Sequence, residues 1–138
     1  MQFEWKKEYN VNIRTIDLGH QKVFELFEDL LNKYNLGSDN SYIENILNRI
    51  SAQVYDVFNV EEKLFYQYGY PQSHQHKIIH EEFKIRIVML KLMASKNYLI
   101  LNNKIFNQLK DWWLNHLLGE DKRFADFAAK RELEVTPN

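Results

Sequence analysis

Four stretches of this chain repeat apolar residues at alternating steps of three and four, and each carries a metal-ligating residue type on its apolar side. The first runs His20, Phe24, Phe27, Leu31, Tyr34. The second runs Ile43, Leu47, Ile50, Val54, Val57, Glu61, Leu64, Tyr68. The third is His76, His80, Phe83, Ile87, Leu90, Ala94, and the fourth is Ile105, Leu109, Trp112, His116, with Asp121 just beyond. Such a repeat places one face of an α-helix against a core. Imidazoles and carboxylates on that face must be paired, neutralised or bound to metal.

Punctuation between the stripes gives the elements. The first helix is expected over 17–37, with Asp17 as N-cap and Gly37 as the left-handed residue after its end. Residues 37–41 read as a turn, and a helix over 40–68 follows, with Ser41 and Glu44 spaced as a capping box. Pro71 opens a third helix over 72–97, since proline costs little in a first turn. Asn102 or Asn103 caps a fourth over 102–118, and Gly119 suits its end. A short amphipathic segment, Asp121 to Lys130, packs across the bundle through Phe124 and Phe127. Residues 1–17 form an arm, and the segment from Val135 onward frays. Short connections between four helices imply an all-α, antiparallel up-down-up-down bundle with an N-terminal arm and a short C-terminal helix. The expected organisation is one domain over 1–138: arm 1–17, bundle 17–118, tail 119–138.

Composition narrows the class. The chain has 138 residues, 45% hydrophobic and 14% aromatic, enough for a core and unlike a disordered segment. Its net charge of -1, with bases and acids interleaved, lacks the basic stripe of a nucleic-acid binder. No apolar run approaches the ~20 residues of a membrane span, and the N-terminus has no secretory apolar region. With no cysteine, disulfides, zinc–thiolate sites and chain-held iron–sulfur clusters are excluded. A cytoplasmic location is expected, and a free-standing domain is preferred over a receptor module.

His76 and His80 are one helical turn apart and can share an ion. Such a pair is often only a partly exposed polar face, but Phe83, Ile87 and Leu90 continue this stripe inward. Glu61 fills a core slot, and no stripe supplies a cation to pair with it. Its neighbour Glu62, rotated by roughly 100°, is expected to be a solvated surface acid. His116 and Asp121 would sit roughly 140° apart on a regular α-helix, so both face one ion only if the turn near Gly119 widens. The plainer reading of Asp121 is a cap for the last helix. His20 alone would be a satisfied core histidine; its alignment with the other stripes favours a ligand. His74 lies off the stripe and is expected to face solvent.

These residues resemble the hemerythrin family, its bacterial single-domain branch in particular. The matching motifs are Ile16-Asp17-x-x-His20, Glu61-Glu62-Lys63-Leu64, Tyr70-Pro71-x4-His76-x3-His80 and Trp112-x3-His116-x4-Asp121, spread from Trp5 to about Phe127. The resemblance implies a four-helix bundle holding two iron ions, joined by an oxo or hydroxo bridge and two carboxylates, that binds O2 reversibly. It implies His76, His80 and His116 on the first iron, Glu61 and Asp121 as bridges, and His20 on the second iron, beside the O2 position. It also places Val23, Phe58, Trp112, Trp113 and Leu117 around the O2 pocket, although ordinary core packing would account for the same aromatics. One position departs: the family carries a histidine one turn before the bridging glutamate, and this chain has Val57. The second iron is therefore expected to bind more weakly, with water in the vacated position and open space beside it.

Three functions remain in competition. The first is a non-haem di-iron O2 carrier, store or sensor, which is not an enzyme. The second is a di-iron catalyst of peroxide or NO chemistry, and the third a module holding one metal without O2 function.

Overall fold

The computed structural model of the chain describes residues 5–35, 40–95 and 103–131. Helices α1 (Arg14–Asn35), α2 (Asn40–Tyr68), α3 (Ser73–Ser95) and α4 (Asn103–His116) form an antiparallel up-down-up-down bundle. A widened π turn, Leu117–Asp121, joins α4 directly to a short α5 (Lys122–Lys130). The expected roles of Gly37, of Asn102 and of the segment from Val135 onward fall outside the described residues. Among the described residues no helix is long and apolar enough to cross a membrane.

Four local signals, at Asp17, Ser41, Pro71 and Gly119, act differently from the sequence reading. α1 starts at Arg14, so Asp17 sits in its first turn and is not the N-cap. Its carboxylate instead accepts the backbone N–H groups of Val11 at 2.7 Å and Asn12 at 3.0 Å. That pair of bonds folds the arm back onto the helix, where Asn12 takes a left-handed φ of 65°. α2 spans Asn40–Tyr68, the expected range, but Ser41 then lies inside the helix and is not its N-cap. Pro71 lies in the turn before Ser73 and outside the first turn of α3. Gly119 does not end a helix, because the chain continues through the π turn.

α2 ends at Tyr68, as expected. Gly69 takes φ 64°, its N–H reaches the Tyr66 carbonyl, and the Tyr70 N–H reaches the Phe65 carbonyl at 2.9 Å. This is a Schellman closure, with the accompanying ring contact of Phe65 and Tyr70 at 5.3 Å. Tyr70 is thereby held where it packs on Phe124 of α5 at 5.1 Å.

The stripes read in the sequence build two apolar clusters. The larger runs along the bundle through Phe27, Leu30, Leu47, Ile50, Phe83 and Trp113. The smaller closes one end, with Val11, Ile13 and Ile16 from the arm side, Phe65 and Tyr70, and Phe124 and Ala128 of α5. Lys122 ties the arm to α5 by donating to the Asn10 carbonyl at 2.9 Å. The polar residues of the stripes lie at the level where the two clusters meet.

α1 approaches α2 closely at Gly19. A Cβ added there would stand 2.6 Å from Cγ2 of Val57, a branched side chain with no room to swing aside. Gly19→Ala should therefore destabilise the protein by about 1–3 kcal/mol. In a Val57→Ala background the same added methyl should cost much less. Denaturant unfolding of the two single variants and the double variant checks this, and strictly additive costs would contradict the contact.

Candidate metal centre

Three of the four bundle helices, α2, α3 and α4, and the π turn bring metal-ligating side chains to one buried point. α2 supplies Glu61, α3 supplies His76 and His80, α4 supplies His116 and the π turn supplies Asp121; all are buried. One ligand atom from each of these five lies within 4.8 Å of all the others. The π turn makes this possible. The Lys122 N–H reaches back to the Leu117 carbonyl, five residues earlier, and the extra residue rotates Asp121 toward His116. Asp121 Oδ1 then stands 3.2 Å from His116 Nε2 and 3.0 Å from His76 Nε2.

The two carboxylates face both ways. Glu61 Oε1 is 3.1 Å from His80 Nε2 and 3.4 Å from His76 Nε2, while its Oε2 is 3.1 Å from His20 Nε2. Asp121 repeats the arrangement, with Oδ1 toward His76 and His116 and Oδ2 3.2 Å from His20 Nε2. His20 thus lies across the carboxylate pair from the other three imidazoles. It is outside the five-residue group and on the opposite face of the same two carboxylates.

Spacing and protonation both fit a cation. Donors bound at about 2.1 Å from one ion are about 3 Å apart when adjacent, which is close to the spacing found here. His80 and His116 also have their tautomers fixed from outside. His80 Nδ1 donates to Glu62 Oε2 at 2.7 Å, and His116 Nδ1 donates to Glu120 Oε1 at 3.2 Å. With Nδ1–H turned outward, each Nε2 turns a lone pair inward, and the two Nε2 atoms are 3.2 Å apart. Facing lone pairs at that distance repel unless a proton or a metal ion lies among them. Both oxygens of Asp121 are buried beside imidazole nitrogens without the geometry of a hydrogen bond, as a ligand oxygen would be.

Glu62 and Glu120 are the functional residues that the sequence reading missed. Glu62 was expected to be a solvated acid; it is part-buried and bonded to His80 across α2 and α3. Its contact is tertiary, and no sequence spacing announces it. Glu120 follows His116 by four residues, a same-face spacing that could have been read. His74 is exposed, as expected.

Val57 departs from the open position expected of it. It is 3% exposed, and its methyl fills the seam against Gly19. Gln53 points to the Gly19 carbonyl at 3.5 Å, and Asp56 is exposed, so neither replaces a ligand. The space beside Gly19 is filled by apolar packing. The expected pocket residues Val23, Phe58, Trp113 and Leu117 are fully buried, and Trp112 is partly so. Phe58 stacks on the His80 ring at 3.7 Å, and Trp112 stacks on the His116 ring at 5.2 Å. Trp113 stands edge-on to His20 at 5.6 Å, and its buried indole N–H has no hydrogen-bond partner among the described residues.

The match to known proteins agrees with this geometry. The family model described as the hemerythrin HHE cation binding domain matches residues 11–128. The chain belongs to the hemerythrin family. Similar relatives include the bacteriohemerythrin of Stenotrophomonas maltophilia, 25% identical over 124 residues, or 88% of this chain and 78% of the relative. The bacteriohemerythrin of Clostridium acetobutylicum is 26% identical over 135 residues, covering 90% of this chain and 99% of its own. The myohemerythrin of Theromyzon tessulatum is 23% identical over 122 residues, covering 88% and 90%. A crystal structure of wild-type hemerythrin superposes with a TM-score of 0.82 at 22% identity, covering 89% of this chain and 95% of that one. That likeness establishes the shared hemerythrin fold.

Electrostatics couple the cluster to protons. Burial alone would lower the His20 pKa, but Asp121 and Glu61 outweigh it and raise the value to about 9. The same balance raises His76 and, more strongly, His116. Burial would raise Glu61, yet hydrogen bonds from the surrounding imidazoles hold it well below the ordinary carboxylate range; burial and the Glu61 charge would raise Asp121, but the charge of the adjacent His116 outweighs them and lowers it to about 2. Without metal, the imidazolium contribution to stability is full below the unfolded value of 6.5 and is lost as pH rises through about 9. The carboxylate contribution is present above the unfolded values of 4.5 and 3.8 and is lost as pH falls through the depressed ones. The metal-free protein should therefore melt at its highest temperature between those windows and weaken from pH 6.5 to 9. With metal in place of protons that decline should vanish. Thermal melts across this pH range, with and without metal, check it; a flat metal-free profile would contradict it.

The outer carboxylates give a second outcome. Glu62→Ala should lower metal affinity by about 10–100-fold, because His80 loses the group that fixes its tautomer. Competition with a chelator measures it, and an unchanged affinity would return Glu62 to the role of a surface acid.

Proposed function

We propose that this hemerythrin-family chain is a non-haem iron protein that binds O2 as a carrier, store or sensor and is not an enzyme. The observation that carries the reading is the buried set of three imidazole Nε2 atoms and two carboxylates with their lone pairs directed to one point. Imidazole and carboxylate donors of this kind suit iron. In this reading His76, His80 and His116 hold one ion, while Glu61 and Asp121 share it with a second ion reached by His20. An oxo or hydroxo bridge would complete such a pair. The proposal takes the chain as one domain in the cytoplasm. Iron, when bound, supplies reversible affinity for O2; the protein supplies orientation and exclusion of water.

The second position is the weaker one. Its protein donors are His20 Nε2, Glu61 Oε2 and Asp121 Oδ2, and both oxygens belong to residues shared with the first. Val57 adds no donor. We therefore expect the first position to fill before the second and to resist chelation longer. The burial of Val23, Phe58, Trp113 and Leu117 supports a dry surrounding for O2, with Trp113 edge-on to His20 and its N–H a buried donor there.

The test is stopped-flow absorption of the anaerobically iron-loaded protein mixed with O2. A new near-ultraviolet and visible band that fades when O2 is removed is the expected result. Val57→His should raise iron content per chain and lengthen the life of that band. No spectral response to O2 despite bound iron would reduce the protein to a metal-binding module. Sustained turnover of peroxide with a reductant would make it a catalyst.

A further inference from the structure

α3 is apolar on two opposite faces. One carries His76, His80, Phe83 and Ile87 into the core. The other, half a turn away, exposes Ile78, Ile85, Val88, Met89 and Leu92, with Ile85 63% and Met89 54% exposed. Polar residues usually fill the outer face of a bundle helix, and a contiguous apolar outer face marks a contact surface.

Three residues of this face, Ile78, Ile85 and Leu92, are spaced symmetrically about its centre, while Val88 and Met89 flank that seam. Ile78 precedes Ile85 by seven residues and Leu92 follows it by seven, a seam about 21 Å long. If two copies of α3 pack antiparallel with a two-fold axis at Ile85, Ile85 meets its own copy. Ile78 then meets Leu92 at both ends, as an isologous interface requires. Charge follows the same symmetry. Glu82 and Arg86 are exposed on one edge of the stripe, and neither forms an ion pair with a described residue. In the antiparallel pair, Glu82 of one copy falls within two residues of the level of Arg86 on the other, about 3 Å along the axis. A groove of about 260 Å³ opens along the same edge, lined by Ile85, Met89, Ile105 and Trp112 among others. It can receive apolar side chains from the facing helix.

From the symmetric Ile78–Ile85–Leu92 seam and the Glu82–Arg86 complementarity, we infer that the outer face of α3 docks a second copy of this chain in an antiparallel, two-fold dimer. The interface lies on the helix that carries His76 and His80, on the face turned away from them, and is independent of what the metal centre holds.

Sedimentation velocity of the full chain over a concentration series tests it. Wild type should shift from monomer to dimer as concentration rises. Ile85→Glu, which sets two carboxylates on the axis, should raise the dissociation constant more than tenfold with metal content and melting temperature unchanged. Glu82→Arg and Arg86→Glu should each weaken the dimer, and the double charge swap should restore it. A wild-type chain that stays monomeric to millimolar concentration would overturn the inference. So would a dimer indifferent to Ile85→Glu, or one that the double swap fails to rescue.

Discussion

Two carboxylates in the middle of a helical bundle are the constraint on which the rest of this structure depends. Glu61 and Asp121 are buried at 1% and 3% exposure, where an uncompensated negative charge costs several kcal/mol. No lysine or arginine reaches either of them among the described residues. Every compensating group is an imidazole: His20 on one side, and His76, His80 and His116 on the other. The bundle needs all four of its helices to assemble that shell, and it needs the π turn to bring Asp121 round. The arm and α5 then cover the open end with Phe65, Tyr70 and Phe124. The metal centre and the fold are therefore one problem in electrostatics, solved by protons when metal is absent and by a cation when it is present.

The outer acids decide which solution is favoured. Glu62 and Glu120 hold Nδ1–H of His80 and His116 and so prepare two inward lone pairs at 3.2 Å. His20 has no such partner: its Nδ1 is buried without a hydrogen bond among the described residues. Together with Val57, that leaves the two sides of the carboxylate pair unequal. One side is built from three imidazoles with two of them oriented from outside; the other rests on one imidazole. The inequality is a property of this chain's own residues. It sets the order in which the two positions are expected to fill.

Much of this was legible in the sequence. A 3.6-residue period with His20, Glu61, His76, His80 and His116 on the apolar side fixes both the bundle and the convergence of these groups. The Gly69 closure of α2 follows from a single glycine after an apolar stripe. Other features were not legible because they depend on contacts between elements. Asp17 looked like an N-cap, since a carboxylate near a helix start has that role by default. The three preceding residues, Arg14 to Ile16, join the helix, and its oxygens turn back to Val11 and Asn12. Glu62 looked solvated because rotation around its own helix says nothing of how near His80 comes. Val57 looked like a vacancy because the missing family histidine was visible and the glycine opposite it was not. The turn after His116 was open in the sequence, since Gly119 permits either a helix end or a widened turn.

The most direct test of this account is an anaerobic iron(II) titration of the metal-free protein, followed together by calorimetry, retained iron after gel filtration and melting temperature. The account predicts saturable binding with proton release and at least one ion retained per chain. It also predicts a melting temperature that rises with occupancy, and loss of all three responses in Glu61→Ala. A chain that retains no iron, releases no protons and melts unchanged would contradict it, leaving the buried imidazole–carboxylate cluster as a proton-paired core alone.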